Sequence, residues 1–328
     1  MIRILMIAAL SLLASPAVAA DLTATPSTFA AQLKKATCGD VVTLQPGEYG
    51  AVALSNYSAP GVAAEVPATD KAKAIAAKCS AANRLEIRAE AGTFRTITLR
   101  GLHGVSWYGG VVSAPLGVDT PGVSIDSSRF VRVAGVTVRG HKVGITAVRG
   151  SDYEIVGNRM QGLRSDGINV TMAQRVLIEG NQVVDTRPIR ATYDARGKLL
   201  VDGDHSDCIQ FWSTVGKAPT ADLTIRNNYC RGEMQGIVAF NAGAGGLDRI
   251  LIERNLLDGL EYWNGIVMYE ARNSAIRNNI VMTKRGAIAR NNGQPIKTWI
   301  YLRSPVNTVA CGNDVPAMPG GEGTGACK

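Results

Sequence analysis

Past its first twenty residues the 328-residue sequence holds no apolar run long enough to cross a bilayer, which excludes a helical membrane span. It has no closely spaced cysteine pair of the kind that builds a zinc site, no basic helix and no arginine-rich tail. Nucleic-acid-binding modules are excluded on the same grounds. Apolar residues at a period of 3.6 are scarce and no leucine frame recurs, so helical and leucine-rich repeats are excluded too. Aromatic residues make up 5% of the chain and histidine occurs three times, two of them in a single column derived below.

The first twenty residues, "MIRILMIAALSLLASPAVAA", differ from everything after them. One basic residue, an apolar run, Pro16 and the small residues Ala17, Ala19 and Ala20 read as a secretory signal peptide, cut after Ala19 or Ala20. The expected location is therefore secreted or periplasmic. That segment holds one base and no acid, so its removal changes the formal charge from +8 to +7. An exported basic protein, expected to act as a monomer, suits an acidic polysaccharide partner better than a nucleic acid. The six cysteines all lie beyond the leader, where disulfides are permitted. The expected pairs are Cys38 with Cys79 and Cys311 with Cys327, leaving Cys208 and Cys230 as buried free thiols.

The middle of the chain repeats itself. In "YEIVGNRM", "VLIEGNQV", "LTIRNNYC", "ILIERNLL" and "SAIRNNIV" an isoleucine precedes, by three positions, Asn158, Asn181, Asn228, Asn255 or Asn279. A second motif follows each first one: "KVGITAV", "SDGINVT", "SDCIQFW", "MQGIVAF", "WNGIVMY" and "KRGAIAR". One long interval in both series marks an insertion of about 18 residues within "DTRPIRATYDARGKLLVDGD". Short β-branched strands separated by Gly, Asn and Asp turns cannot bury an apolar face singly, so they must stack. The expectation is an all-β solenoid of parallel strands whose repeated asparagines form an internal ladder. The insertion, residues 185–203, reads as a hairpin turning at "DARG" and carries Arg187, Arg190, Arg196 and Lys198 as a wall or lid.

Stacking turns the alignment into columns. The position before the aligned glycine or cysteine is Val143, Asp166, Asp207, Gln235, Asn264 and Arg285, and the position after it, Ile145, Ile168, Ile209, Ile237, Ile266 and Ala287, is expected in the core. Two residues before the polar column lie His141, Arg164, His205, Glu233, Tyr262 and Thr283. Acids and isoleucines two apart would share a face under strict alternation, so the strand is expected to bend at the glycine. These columns hold side chains that titrate, donate or bind, and they mark the candidate site. His103, Trp107, Trp263 and Trp299 are read as packing or turn residues.

The repeat pattern, with the opening "STFAAQLKKATCGDVVTLQPGEY", resembles the right-handed parallel β-helix of the pectate-lyase-like superfamily over roughly residues 38 to 310. The resemblance implies a single-stranded solenoid across 21–310, an N-terminal cap (21–50) with a short helix, and a C-terminal tail from 311 to 328. It also implies cleavage of a uronate polymer by β-elimination. In that chemistry a cation neutralises the sugar carboxylate, a base takes the adjacent proton and an acid assists the leaving oxygen. Arg164 and Arg187 are the expected carboxylate binders and His205 the base, oriented by Asp207 or Asp204, with Tyr262 as proton donor. Arg190, Lys198, Glu233, Gln235, Gln210 and His141 are further sugar-binding candidates. Asp166, Asp204, Asp207 and Glu233 are of the right type for Ca²⁺. A second implied chemistry is polygalacturonase-like hydrolysis, since "SDGINV" and "SDCIQF" are similar to that family's acid elements and would make Asp166 and Asp207 the working pair. Ser206 stands where that family has a further acid, and "EMQGIV" replaces its Gly-His-Gly element. C5-epimerisation and glycan binding without catalysis are the remaining readings.

Overall fold

The computed structural model describes residues 19–55, 79–240, 246–289, 292–317 and 327. Most of the leader segment, residues 1–18, lies outside them. Each turn of the chain contributes short strands to three parallel sheets. In the first sheet Ile155, Ile178, Ile225, Ile252 and Ile276 lie one above the other in register. In the second, Val138, Met160, Val183, Cys230, Leu257 and Val281 do the same. In the third, Ile145, Ile168, Ile209, Ile237, Ile266 and Ile300 form the column. All three columns are buried, so the core is a continuous apolar shaft enclosed by the sheets.

The corner between the first and second sheets is closed by amides. Asn158, Asn181, Asn228, Asn255 and Asn279 are essentially inaccessible. The Oδ1 of each later one accepts from the backbone N–H and the Nδ2 of the one before, at 2.9–3.0 Å. Asn313 adds a sixth step, with Asn279 donating to its Oδ1. It escapes the sequence frame because Ala310 replaces the isoleucine in its turn. Every buried amide thereby finds partners, which burial requires.

The second-to-third corner explains the repeated glycines. A Cβ at Gly144, Gly167, Gly236 or Gly265 would lie 2.4–2.8 Å from a side-chain atom of Met160, Val183, Leu257 or Val281, the second-sheet residue of the following turn. None of these glycines has positive φ, so close packing, and not a backbone bend, is what requires glycine. At the turn where Cys208 replaces glycine, the facing residue is Cys230, and the two form a disulfide. The expected free thiols are thus corrected: the Sγ atoms meet in that tight contact as a covalent bond. Cys38–Cys79 and Cys311–Cys327 pair as expected. Three disulfides fit an extracellular or periplasmic protein, and no helix among the described residues is long and apolar enough to cross a membrane.

A short helix, Phe29–Lys35, covers the first turn with Phe29 and Leu33 buried. Phe29 meets Tyr49 and Trp107 edge-on, and this cluster closes the end of the shaft. At the other end the pattern misleads. Ile300, not Ala287, continues the core column, because the next strand of the third sheet is Trp299–Arg303.

Candidate functional site

The loops joining the second sheet to the third stack along one edge of the solenoid, and both polar columns fall on them or just after. Within the insertion, Thr192–Tyr193 pairs antiparallel with Leu199–Val201, and Asp194 Oδ1 caps the N–H groups of Arg196 and Lys198. Two ionic contacts fasten this hairpin to neighbouring turns. Arg190 grips Glu233 through both carboxylate oxygens, at 2.6–3.0 Å. Asp204 accepts from the Ile189 N–H at 2.9 Å and pairs with Arg164 at 3.1 Å, while Arg164 also meets Asp119 at 2.8 Å. Arg164 is therefore held between two acids of its own chain and is not offered to a ligand carboxylate.

Asp166 and Asp207 sit on consecutive turns, with the Asp207 N–H donating to Asp166 Oδ1 at 3.0 Å. Asp207 is 0% exposed and Asp166 8% exposed. Burial, and then the Asp166 carboxylate, pushes Asp207 well above the ordinary carboxylate range. Burial also raises Asp166, opposed by bonds from Asn169 Nδ2, the Asp207 N–H and Ser165. A hydrolytic pair must reach the bond it works on, and the enclosure of Asp207 and near-enclosure of Asp166 weigh against that role.

His141 is fully buried, with Nδ1 at 3.1 Å from the Thr120 carbonyl, and burial lowers its proton affinity. Its ring is enclosed by its own chain and offers no accessible atom to a sugar. His205 lies at the opposite extreme, with its side chain 71% exposed and Nε2 at 3.0 Å from Asp202. The expected partners Asp204 and Asp207 do not contact it, because Asp204 is occupied by Arg164 and Asp207 is enclosed. Gln235 bonds Asn264, which accepts from Trp299 Nε1 at 3.0 Å. Gln210 stands on the outer face of the third sheet, in register with Asn169 and Val238. Lys198 is exposed on the hairpin.

Two cavities open on this edge. One, about 540 Å³, is lined by Arg187, Arg231, Glu233, Asp258, Lys284 and Arg285 among others. The second, about 230 Å³, is lined by Tyr193 of the hairpin and by Tyr262, Trp263 and Ile296. Glu261 borders both, so they adjoin. In the larger one Glu233 is engaged by Arg190, Glu261 by Lys284, and Asp258 by Tyr229 and Arg231, while the fourth acid, Asp185, accepts from Gln161 Nε2 at 3.3 Å. Arg187 and Arg285 have no acidic partner within ion-pair distance among the described residues. They are the two open cations of the groove.

The aromatic residues, scarce in the chain, concentrate beside it. Trp263 stacks on Trp299 at 5.3 Å, Trp299 touches Tyr301, Tyr301 touches Tyr269, and Tyr269 touches Phe240. Trp107, by contrast, is core. Tyr193 and Arg285 line the two cavities, though sequence patterning did not single them out. Arg285 stood in the polar column, and Tyr193 stood in the insertion, so a signal existed for both.

The proposed calcium ligands do not fit a metal. Among the described residues no group of three or more His, Cys, Asp or Glu side chains is placed to hold an ion. Asp204 and Glu233 are consumed by arginines, and Asp207 is enclosed.

No protein-family profile matches the sequence, and no curated protein matches it. Solved structures do resemble it. The PL6 family alginate lyase AlyGC is 11% identical with a TM-score of 0.55, the alignment covering 88% of this chain and 40% of that one. A PL6 family polysaccharide lyase from Pseudopedobacter saltans is 12% identical with a TM-score of 0.50, covering 89% and 65%. The Dettilon tailspike protein is 14% identical with a TM-score of 0.51, covering 88% and 56%. The chain thus spans 40% to 65% of the length of these structures. At such identity the likeness speaks to architecture alone, and the architecture is the right-handed parallel β-helix.

Proposed function

We propose that this protein is a carbohydrate-active enzyme that cleaves an acidic polysaccharide by β-elimination in the groove between the insertion and the second-to-third corner. The observation that carries the reading is the pair of open cations, Arg187 and Arg285, in a groove of about 540 Å³ where three of the four lining acids are already paired with bases. A uronate carboxylate is the sugar group such a pair recognises, and neutralising it makes the neighbouring C–H acidic enough to lose a proton. His205 is the proposed base. Its Nε2 contact with Asp202 places the lone pair on Nδ1 in the neutral ring. Tyr262, in the adjoining aromatic cavity, is the proposed donor to the leaving oxygen. The base removes the C5 proton, the C4–O bond breaks, and the leaving oxygen takes a proton, so no water is consumed. The polysaccharide-lyase names of two of the similar structures support this reading.

Paired-carboxylate hydrolysis is disfavoured by the burial of Asp207 and Asp166. The test is incubation with a panel of uronate polymers, following both the ultraviolet absorbance of unsaturated ends and new reducing ends. Absorbance that rises together with reducing ends is expected. Reducing ends alone would mean hydrolysis, and binding with neither would mean a glycan-holding module.

A further inference from the structure

The first strand, Asp21–Ala24, pairs in parallel with Val41–Leu44 at the capped end of the solenoid. Ala20, immediately before it, is already part of that structure: its carbonyl accepts from the Val41 N–H at 2.9 Å, and its N–H lies 2.7 Å from Oδ1 of Asp40. Asp40 is 5% exposed. Its other oxygen accepts from the N–H of Thr37 at 2.7 Å and the Thr37 hydroxyl at 3.0 Å. No Lys or Arg of the described residues lies within ion-pair distance of it. A buried carboxylate without a cation is costly, and the group that reaches it is a main-chain nitrogen at the boundary of a leader-like segment. Burial alone would raise the Asp40 carboxyl, but the Ala20 and Thr37 donors outweigh it and hold the group ionised.

We propose that the chain is processed between Ala19 and Ala20, and that the α-ammonium so formed is the missing counter-ion of Asp40. The residue pattern alone allows a cut after Ala19 or after Ala20, since small residues stand before both bonds. The structure discriminates between them. A cut after Ala20 removes both the donor to Asp40 and the acceptor for Val41. A cut after Ala19 keeps both and converts a neutral N–H contact into a charge-assisted one. Hydrolysis consumes one water, leaves a carboxylate on Ala19 and an ammonium on Ala20, and needs a leader peptidase of the export machinery. Ala19 and Ala20 are exposed, so the new terminus stays at the surface while its nitrogen points at Asp40.

Expression of the full chain in an exporting host, followed by intact-mass measurement and N-terminal sequencing, should find Ala20 first. A chain beginning at Asp21, or one that keeps its leader, overturns the proposal. The ion pair has a separate reading. A variant with one glycine inserted between Ala19 and Ala20 displaces the ammonium, and its melting temperature should fall by roughly 3 to 10 °C. The same insertion in an Asp40→Asn background should cost much less. An equal loss in both backgrounds, or none in the first, removes Asp40 as the ammonium's partner.

Discussion

A carboxylic acid shut away from water and placed beside another acid keeps its proton, and Asp207 is such a group. Its folded affinity for the proton exceeds its unfolded one. Asp207 therefore contributes most to stability at acid pH, and that contribution is lost as pH rises above the unfolded value of 3.8 toward the folded one. Asp207→Asn has no proton to lose. Its melting temperature should decline less than that of the parent as pH rises above the unfolded value of 3.8, and activity should survive. Identical pH profiles would put a charged Asp207 back in contention. For the open cations the expectation runs the other way. Arg187→Ala or Arg285→Ala should raise KM for a uronate polymer roughly tenfold to hundredfold while leaving the melting temperature unchanged, because each loses a charge-assisted contact to substrate and no partner of its own. An unaltered KM in both would remove the groove from the reaction.

At the scale of the elements, the corner glycines and the Cys208–Cys230 bridge are two solutions to one packing problem. The facing pairs observed are glycine with a bulky apolar residue, or two half-cystines. Cys208→Gly combined with Cys230→Val restores the pattern of the adjacent turns. It should fold at a loss of about 3 kcal/mol, the scale expected for a disulfide closing a loop of this size. Cys208→Val alone forces a branched side chain against Cys230 and should yield little folded protein. Chemical denaturation and recovered soluble yield decide both. Folding of Cys208→Val with parent-like stability would show that the corner has room to spare. The same corner marks the limit of what the sequence reveals. The Asn frame and the isoleucine columns are legible because stacking repeats them at each turn. Which acid His205 meets, or whether two cysteines touch, depends on side-chain direction at a single turn, and a repeat pattern carries no information about that.

Across the whole molecule, the shaft is local repetition, whereas the groove is assembled from pieces that break the repetition. The insertion supplies Arg187 and Tyr193, and the chain ahead of strand Trp299–Arg303 supplies Arg285 and Ile296. That is why the fold can be read from the chain while half of the groove cannot: the columns aligned His141 and Arg164 with the site, but burial withdrew the first and two acids enclosed the second. The same stretch of chain that displaced Ala287 from the core brings Arg285 to Arg187. Elimination and hydrolysis differ by one water in their products, so the mass of the released oligosaccharides distinguishes them directly. Digestion of a uronate polymer that the protein cleaves, followed by mass spectrometry, should give fragments one water lighter than hydrolysis products. Such fragments should be absent with the Arg187→Ala/Arg285→Ala double variant. Fully hydrated fragments, or light ones produced undiminished by the double variant, would contradict elimination in this groove.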